Sequence, residues 1–217
     1  MRVRALLARR VIFQPMAAPT TRAAAAAFLL AVVAACAGSS QAGEQSSPKP
    51  VSRYPHTPAD VRFMSAMIGH HAQALAMAAL APRNGASPEV RRLAERISAG
   101  QKDEIGTMQR WLRHRGEPVP EAHHAMHGHL MPGMLTEAQM EELARAKGPE
   151  FDRLFLTYMI QHHRGAVLMV KQLYGTPGAA QDDTVFKFSN DVSVDQTTEI
   201  ARMERMLDSM PAGEPAS

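Results

Sequence analysis

Two short runs carry the chemistry of this chain: Met-Ile-Gly-His-His at 67–71 and Met-Ile-Gln-His-His at 159–163. Imidazole nitrogen accepts both copper oxidation states, whereas the thioether of Met ignores hard ions and favours Cu(I) or Ag(I). The doublets recur at an offset of 92 residues, which points to a duplicated unit gathering both copies at one place. Asp60, Phe63, Met67, Ile68, His70, His71, Ala74 and Met77 reappear as Asp152, Phe155, Met159, Ile160, His162, His163, Ala166 and Met169. A second correspondence sets Leu93, Ile97, Gln101, Glu104, Ile105, Met108 and Leu112 against Phe188, Val192, Gln196, Glu199, Ile200, Met203 and Leu207. Each repeat is thus a pair of segments.

Those segments read as helices. Thr57 before Pro58, with Asp60 in the first turn, is a start signal, and apolar spacing continues to about Leu80. Ser87-Pro88-Glu89 opens a second helix that closes at Arg113-His114-Arg115-Gly116, where basic residues and glycine suit a C-terminus. Thr136 with Gln139 forms a capping box for a short helix to about Lys147. Long helices follow over roughly Glu150 to Tyr174 and Asp182 to Ser209. No run alternates with period two over a strand's length, so the fold is predicted to be all-α, a four-helix bundle of two duplicated hairpins over 57–210.

At 100° per residue, Phe63, Met67, His70, Ala74 and Met77 fall within about 40° of one line, and so do Phe155, Met159, His162, Ala166 and Met169. His70 and His162 are therefore expected to point inward. Ile97, Gln101, Glu104, Met108 and Trp111 share a stripe on the second helix, as do Val192, Gln196, Glu199, Met203 and Met206 on the fourth. A carboxylate buried without a partner costs several kcal/mol, so Glu104 and Glu199 need partners in the core. Histidines at matching depth supply them, as ion pairs or as co-ligands of a metal. His71 and His163 lie about 100° around from their neighbours, nearer the edge, and cannot form a simple clamp with them. His71 with Met67 or Met64 could form a shallow site, although Leu156 stands at the position equivalent to Met64. Met77, Met108, Met169 and Met203 complete the inner candidate set. The competing reading is a buried polar network that only fixes helix register.

Between the halves, residues 117–135 are irregular, and His123, His124, Met126, His127, His129, Met131 and Met134 crowd into the stretch 123–134. With no core to fill there, His127, His129, Met131 and Met134 read as a loose copper-collecting segment.

The first 35 residues contain five arginines and no acid, and an apolar run ends at Val33-Ala34-Ala35-Cys36. This pattern resembles a lipoprotein signal cut before Cys36, with Met1 or Met16 as the start and residues 36–56 as a flexible tether. Acyl chains on Cys36 would anchor the protein at the outer face of the cytoplasmic membrane or in the periplasm. Without the leader, the 24 basic residues fall to 19 against 21 acidic ones, so a nucleic-acid role loses its support. Cys36 is the sole cysteine, which leaves soft-metal chemistry to Met and His.

Asp60-x-x-Phe63-x-x-x-Met67-Ile68-x-His70-His71, its second copy through Arg164-Gly165-Ala166, and Gly133-Met134-Leu135-Thr136 leading to Glu150-Phe151-Asp152-Arg153-Leu154-Phe155-Leu156 resemble the bacterial domain of unknown function 305 family. The resemblance covers about residues 57–210. It implies a ferritin-like bundle exported to the periplasm or cell surface, with some members associated with copper binding and resistance. Gly69 and Ala72-Gln73 in the first copy depart from Gln161 and Arg164-Gly165 in the second.

Three function classes follow. The first is an extracytoplasmic protein that binds copper, preferentially Cu(I), for sequestration, resistance or exchange with a copper donor or acceptor protein. The second is a ferritin-like di-metal oxidase. Such centres normally use four carboxylates and two Glu-x-x-His motifs, yet Met67 and Met159 stand three before the inner histidines, and Thr107 and Arg202 three after the glutamates. The third is a metal-free bundle that binds another envelope protein. No nucleophile–base set and no phosphate loop can be assembled, so a binding protein is expected, not an enzyme.

Overall fold

The computed structural model describes residues 55–121 and 131–211, all within one unit, Ser46–Ser217. The leader, Cys36, nearly all of the tether, and His123, His124, Met126, His127 and His129 lie outside the described residues. The described residues form five helices: α1 Pro58–Ala78, α2 Pro88–Arg115, α3 Glu137–Arg145, α4 Gly148–Tyr174 and α5 Asp183–Asp208. The described residues contain no strand, and none of their helices is long and apolar enough to cross a membrane.

Local signals set the helix ends. Thr57 and Asp60 close a full capping box on α1, and Thr136 and Gln139 do the same on α3. Gly116 ends α2 at φ 72°, a left-handed cap that glycine adopts without strain. The start of α4 is two residues earlier than Glu150, because Pro149 fits the first turn and Gly148 N–H donates to the Asn84 carbonyl at 2.8 Å.

Helices α1 and α2 form one tight hairpin, α4 and α5 the other, and α1 packs against α4 to join them. Two repeat-equivalent carboxylates lock the hairpins together. Asp60 on α1 accepts from Ala180 N at 2.7 Å in the turn before α5, and Asp152 on α4 accepts from Ser87 N at 3.2 Å at the head of α2. Each acid reaches the opposite hairpin's turn and satisfies a backbone donor there.

The core is divided into two apolar layers. One takes Ala74 and Met77 from α1, Val90 to Ile97 from α2, Phe151 to Ile160 from α4 and Met203 from α5. The other takes Phe63 to Ile68, Ile105 to Leu112, Ala166 to Leu173, and Val185 to Val192. Every long helix contributes to both layers, and its polar residues fall in between. His70 and His71, Gln101 and Glu104, His162 and His163, and Gln196 and Glu199 thus occupy one waist at mid-height.

The segment entering α3 crosses that waist. A Cβ on Gly165 would sit 1.9 Å from the Pro132 carbonyl oxygen, and one on Gly133 2.5 Å from the Gln161 oxygen. At the equivalent position in the first repeat, Gln73 donates to the Leu135 oxygen at 3.0 Å and accepts from Leu135 N at 2.7 Å. The two repeats diverge at these positions because both face the same strap. Gly165→Ala should therefore destabilise the protein by about 3 kcal/mol, since the clash is with backbone that cannot rotate away. Gly100→Ala, where a Cβ meets nothing within 4 Å, should be neutral or slightly stabilising. Urea unfolding of the two variants checks this, and equal midpoints would refute the close crossing.

Candidate functional site

All four doublet histidines are fully buried, at 0% exposure. His70 and His162 face each other across the α1–α4 seam with ring centroids 3.9 Å apart and planes 41° from parallel. His162 Nε2 donates to the His70 carbonyl at 2.9 Å, and His70 Nε2 donates to the Pro132 carbonyl at 3.0 Å. A carbonyl only accepts, so both rings carry their hydrogen on Nε2 and expose a bare lone pair at Nδ1.

His71 and His163 are interior residues too, contrary to the edge position expected for them. Each helix of the bundle has two inner neighbours, so its inward sector is wide enough to take positions about 100° apart. His70 looks across to α4, while His71 turns toward α2. There His71 Nε2 donates to Glu104 Oε2 at 2.6 Å, and His163 Nε2 to Glu199 Oε2 at 2.7 Å. Glu104 and Glu199, expected at core positions, are instead partly exposed; their side chains keep 21% exposure at the outer rim of the waist. The outer histidines, not the inner ones, take up the carboxylates.

The result is one repeated arrangement. Each ring binds an acceptor through Nε2, and all four Nδ1 atoms are buried without a partner. Gln101 and Gln196 add four more unpartnered polar atoms, bringing the waist to eight. An unpaired buried polar group costs about 1–3 kcal/mol, so eight together rival the whole net stability of a domain. Sequence reasoning had put both glutamines on inward stripes without assigning them to the site, although their repeat-equivalence was the available signal.

Burial pushes the His70 imidazole down to about 3, assisted by His71 and His163 and opposed by the Pro132 carbonyl. His162 is lowered as well, by burial first and then by His70, His163 and His71. Both rings are therefore neutral at ordinary pH.

Helical spacing puts Met67 one turn from His70 and His71, and Met159 one turn from His162 and His163. Both thioethers are fully buried. Met77 and Met203 pack in the apolar layer that holds Met159, and Met108 and Met169 in the layer that holds Met67. Met134 is 5% exposed, and Met131 packs against an apolar layer. The expectation that this stretch has no core to fill is thus corrected for both, because the strap is folded onto the bundle. Among the described residues no three of His, Cys, Asp and Glu converge well enough to hold an ion. In the waist Glu104 and Glu199 each pair with one histidine.

A duplicated helical bundle with a buried histidine waist defines the class of protein. The chain matches the family Domain of unknown function (DUF305) over residues 60–207 and belongs to it. A DUF305 fragment from Deinococcus radiodurans is 33% identical, with a TM-score of 0.62 over 72% of this chain and 99% of that one. A DUF305 protein from Streptomyces coelicolor, described as a secreted protein, is 30% identical with a TM-score of 0.59, covering 69% of this chain and 92% of its own. CopM in its Cu(II)-bound form is 31% identical with a TM-score of 0.58, covering 69% of this chain and 95% of its own. CopM structures with Cu(I) and with Ag are similar too, each with a TM-score of 0.54. No curated protein matches the chain.

The depressed imidazoles make stability depend on pH in a defined direction. The unfolded chain protonates these histidines below the ordinary value of 6.5, while in the folded chain His70 does not protonate until about 3 and His162 is also held well below 6.5. Stability is therefore complete above pH 6.5 and lost as pH falls through that window. For His70 alone the loss between pH 6 and pH 5 is about 1 kcal/mol, and His162 adds to it in the same direction. His162→Gln should reduce the loss, as read from urea midpoints of metal-free protein. A profile flat over this range would show that the rings are not held neutral.

Proposed function

We propose that this protein binds copper outside the cytoplasm, preferentially as Cu(I), and sequesters it or passes it to another protein without catalysing a reaction. The observation that carries the reading is the set of four buried imidazoles whose Nε2 atoms are tied to acceptors and whose Nδ1 atoms have no partner. Metal-ligating histidines characteristically donate their second N–H to a carbonyl or carboxylate, which orients the ring and raises its basicity. Pro132 and His70 supply such carbonyls here, and Glu104 and Glu199 such carboxylates. The donor set fits the group. Neutral imidazole with a neighbouring thioether suits a soft monovalent ion, and a pair of donors satisfies its low coordination number. Met67 with His70 or His71, and Met159 with His162 or His163, are the residues that would hold it. Bound copper would supply a soft Lewis acid and a redox couple.

The CopM relatives, described with Cu(I), Cu(II) and Ag, support the metal assignment, and the secreted Streptomyces coelicolor relative supports export. Cys36 would carry the lipid that keeps the protein at the membrane surface.

Titration of the purified protein with Cu(I), Cu(II), Zn(II) and Fe(II), against a competing chelator, tests the proposal. Cu(I) should bind most tightly, and Met67→Leu with Met159→Leu should weaken it at least about tenfold, equivalent to about 1.4 kcal/mol. His70→Gln with His162→Gln should do the same. Preference for Fe(II), or indifference to all four ions, would return the histidines to a purely architectural role.

A further inference from the structure

The backbones of α2 and α5 stay apart, and the groove between them encloses about 470 Å³, a volume suited to a small organic ligand. Its floor contains Gln101 and Gln196, which are 3% and 2% exposed and whose four amide atoms have no partner. Two amide oxygens accept and two amide nitrogens donate, so the floor calls for a ligand that offers both kinds of group. A bare ion could use only the oxygens.

Charge is unevenly distributed along the groove, with Glu199, already tied to His163, one turn from Arg202. Helices α2 and α5 run antiparallel, since Ile97 shares an apolar layer with Met203, and Ile105 shares the other with Val192. Arg96 on α2 therefore lines the same end as Arg202 and Arg205 on α5. Among the described residues, none of these three guanidinium groups has an acidic partner. Toward the other end Glu104 stands near Asp195, whose carboxyl is raised by partial burial and then by Glu104, Asp191 and Glu199. Arg96 and Glu104 are separated by about 12 Å along α2. An extended peptide of about three or four residues spans that distance, whereas the two charges of a single amino acid do not.

We propose that this groove binds a short peptide with free termini, its carboxylate among Arg96, Arg202 and Arg205, its ammonium toward Glu104 and Asp195, and its peptide groups on Gln101 and Gln196. The site is separate from the histidine lone pairs and does not depend on copper.

Trialanine is a suitable probe, with its N-acetyl and C-amide derivatives as comparisons, in isothermal titration of the protein. Trialanine should bind, and capping either terminus should weaken it at least tenfold. Gln101→Met with Gln196→Met should weaken it by a similar factor while leaving helical circular dichroism intact, because Met keeps the side-chain length and removes the unpaired amide. Arg202→Gln with Arg205→Gln, both exposed positions, should weaken trialanine but leave the residual binding of the C-amide unchanged. If the glutamine variant fails to fold, the arginine variant still decides. No heat with trialanine up to about 10 mM, or equal binding of capped and uncapped peptides, would overturn the assignment.

Discussion

The structure depends on placing four imidazoles in a dry interior and giving every ring N–H an acceptor. A buried N–H without one costs more than a typical hydrogen bond contributes, so the acceptors had to come with the fold. Glu104 and Glu199 arrive from each hairpin's own second helix, the His70 carbonyl from the facing helix, and the Pro132 carbonyl from the strap. The apolar layers on either side keep this arrangement in register. Each layer draws side chains from all four long helices, so sliding one helix would expose one layer and misalign every acceptor at once.

A duplicated chain does not guarantee a symmetric centre. His162 donates to His70's carbonyl, but His70 does not return the bond; its donor goes to Pro132. The connection between the repeats exists once and can fall on only one side of the pseudo-twofold axis. Where it lands, the repeats had to differ. Gly165 yields its side-chain volume to the Pro132–Gly133 backbone, and Gln73, at the matching position, holds Leu135 by both amide atoms. The inner histidines consequently share a ring contact but not an environment.

Much of this was legible in the residues. The repeat offsets, the capping boxes at Thr57 and Thr136 and the inward stripes identified four long helices in two hairpins, because capping and periodicity are local properties of sequence. His70 and His162 were placed inward for the same reason. The burial of His71 and His163 was not visible, since a single helical wheel shows the angle of a residue but not how many neighbours flank the helix. The strap escaped notice because its contacts pair positions 132–135 with 73 and 161–165, which no periodic pattern links. Met131 and Met134 were misread for that reason. Asp60 was read as a repeated acid and a helix-start residue and Asp152 as a repeated acid, although both also have partners in the opposite hairpin's turn.

The same waist accounts for the bundle's open side. Four helices in a ring have four seams, and three of them are closed here, α1 on α2, α1 on α4 and α4 on α5. Apolar side chains draw helices together because burial removes them from water. At mid-height on the fourth seam α2 and α5 instead present Gln101, Glu104, Gln196 and Glu199, whose polar groups gain little from closing on one another. Phe and Leu at those positions would seal the bundle and remove the carboxylates that hold His71 and His163. With glutamine and glutamate there, the fourth seam stays ajar, and the carboxylates that hold His71 and His163 from within are reachable from solvent. A buried donor set is thereby connected to the outside through the groups that orient it.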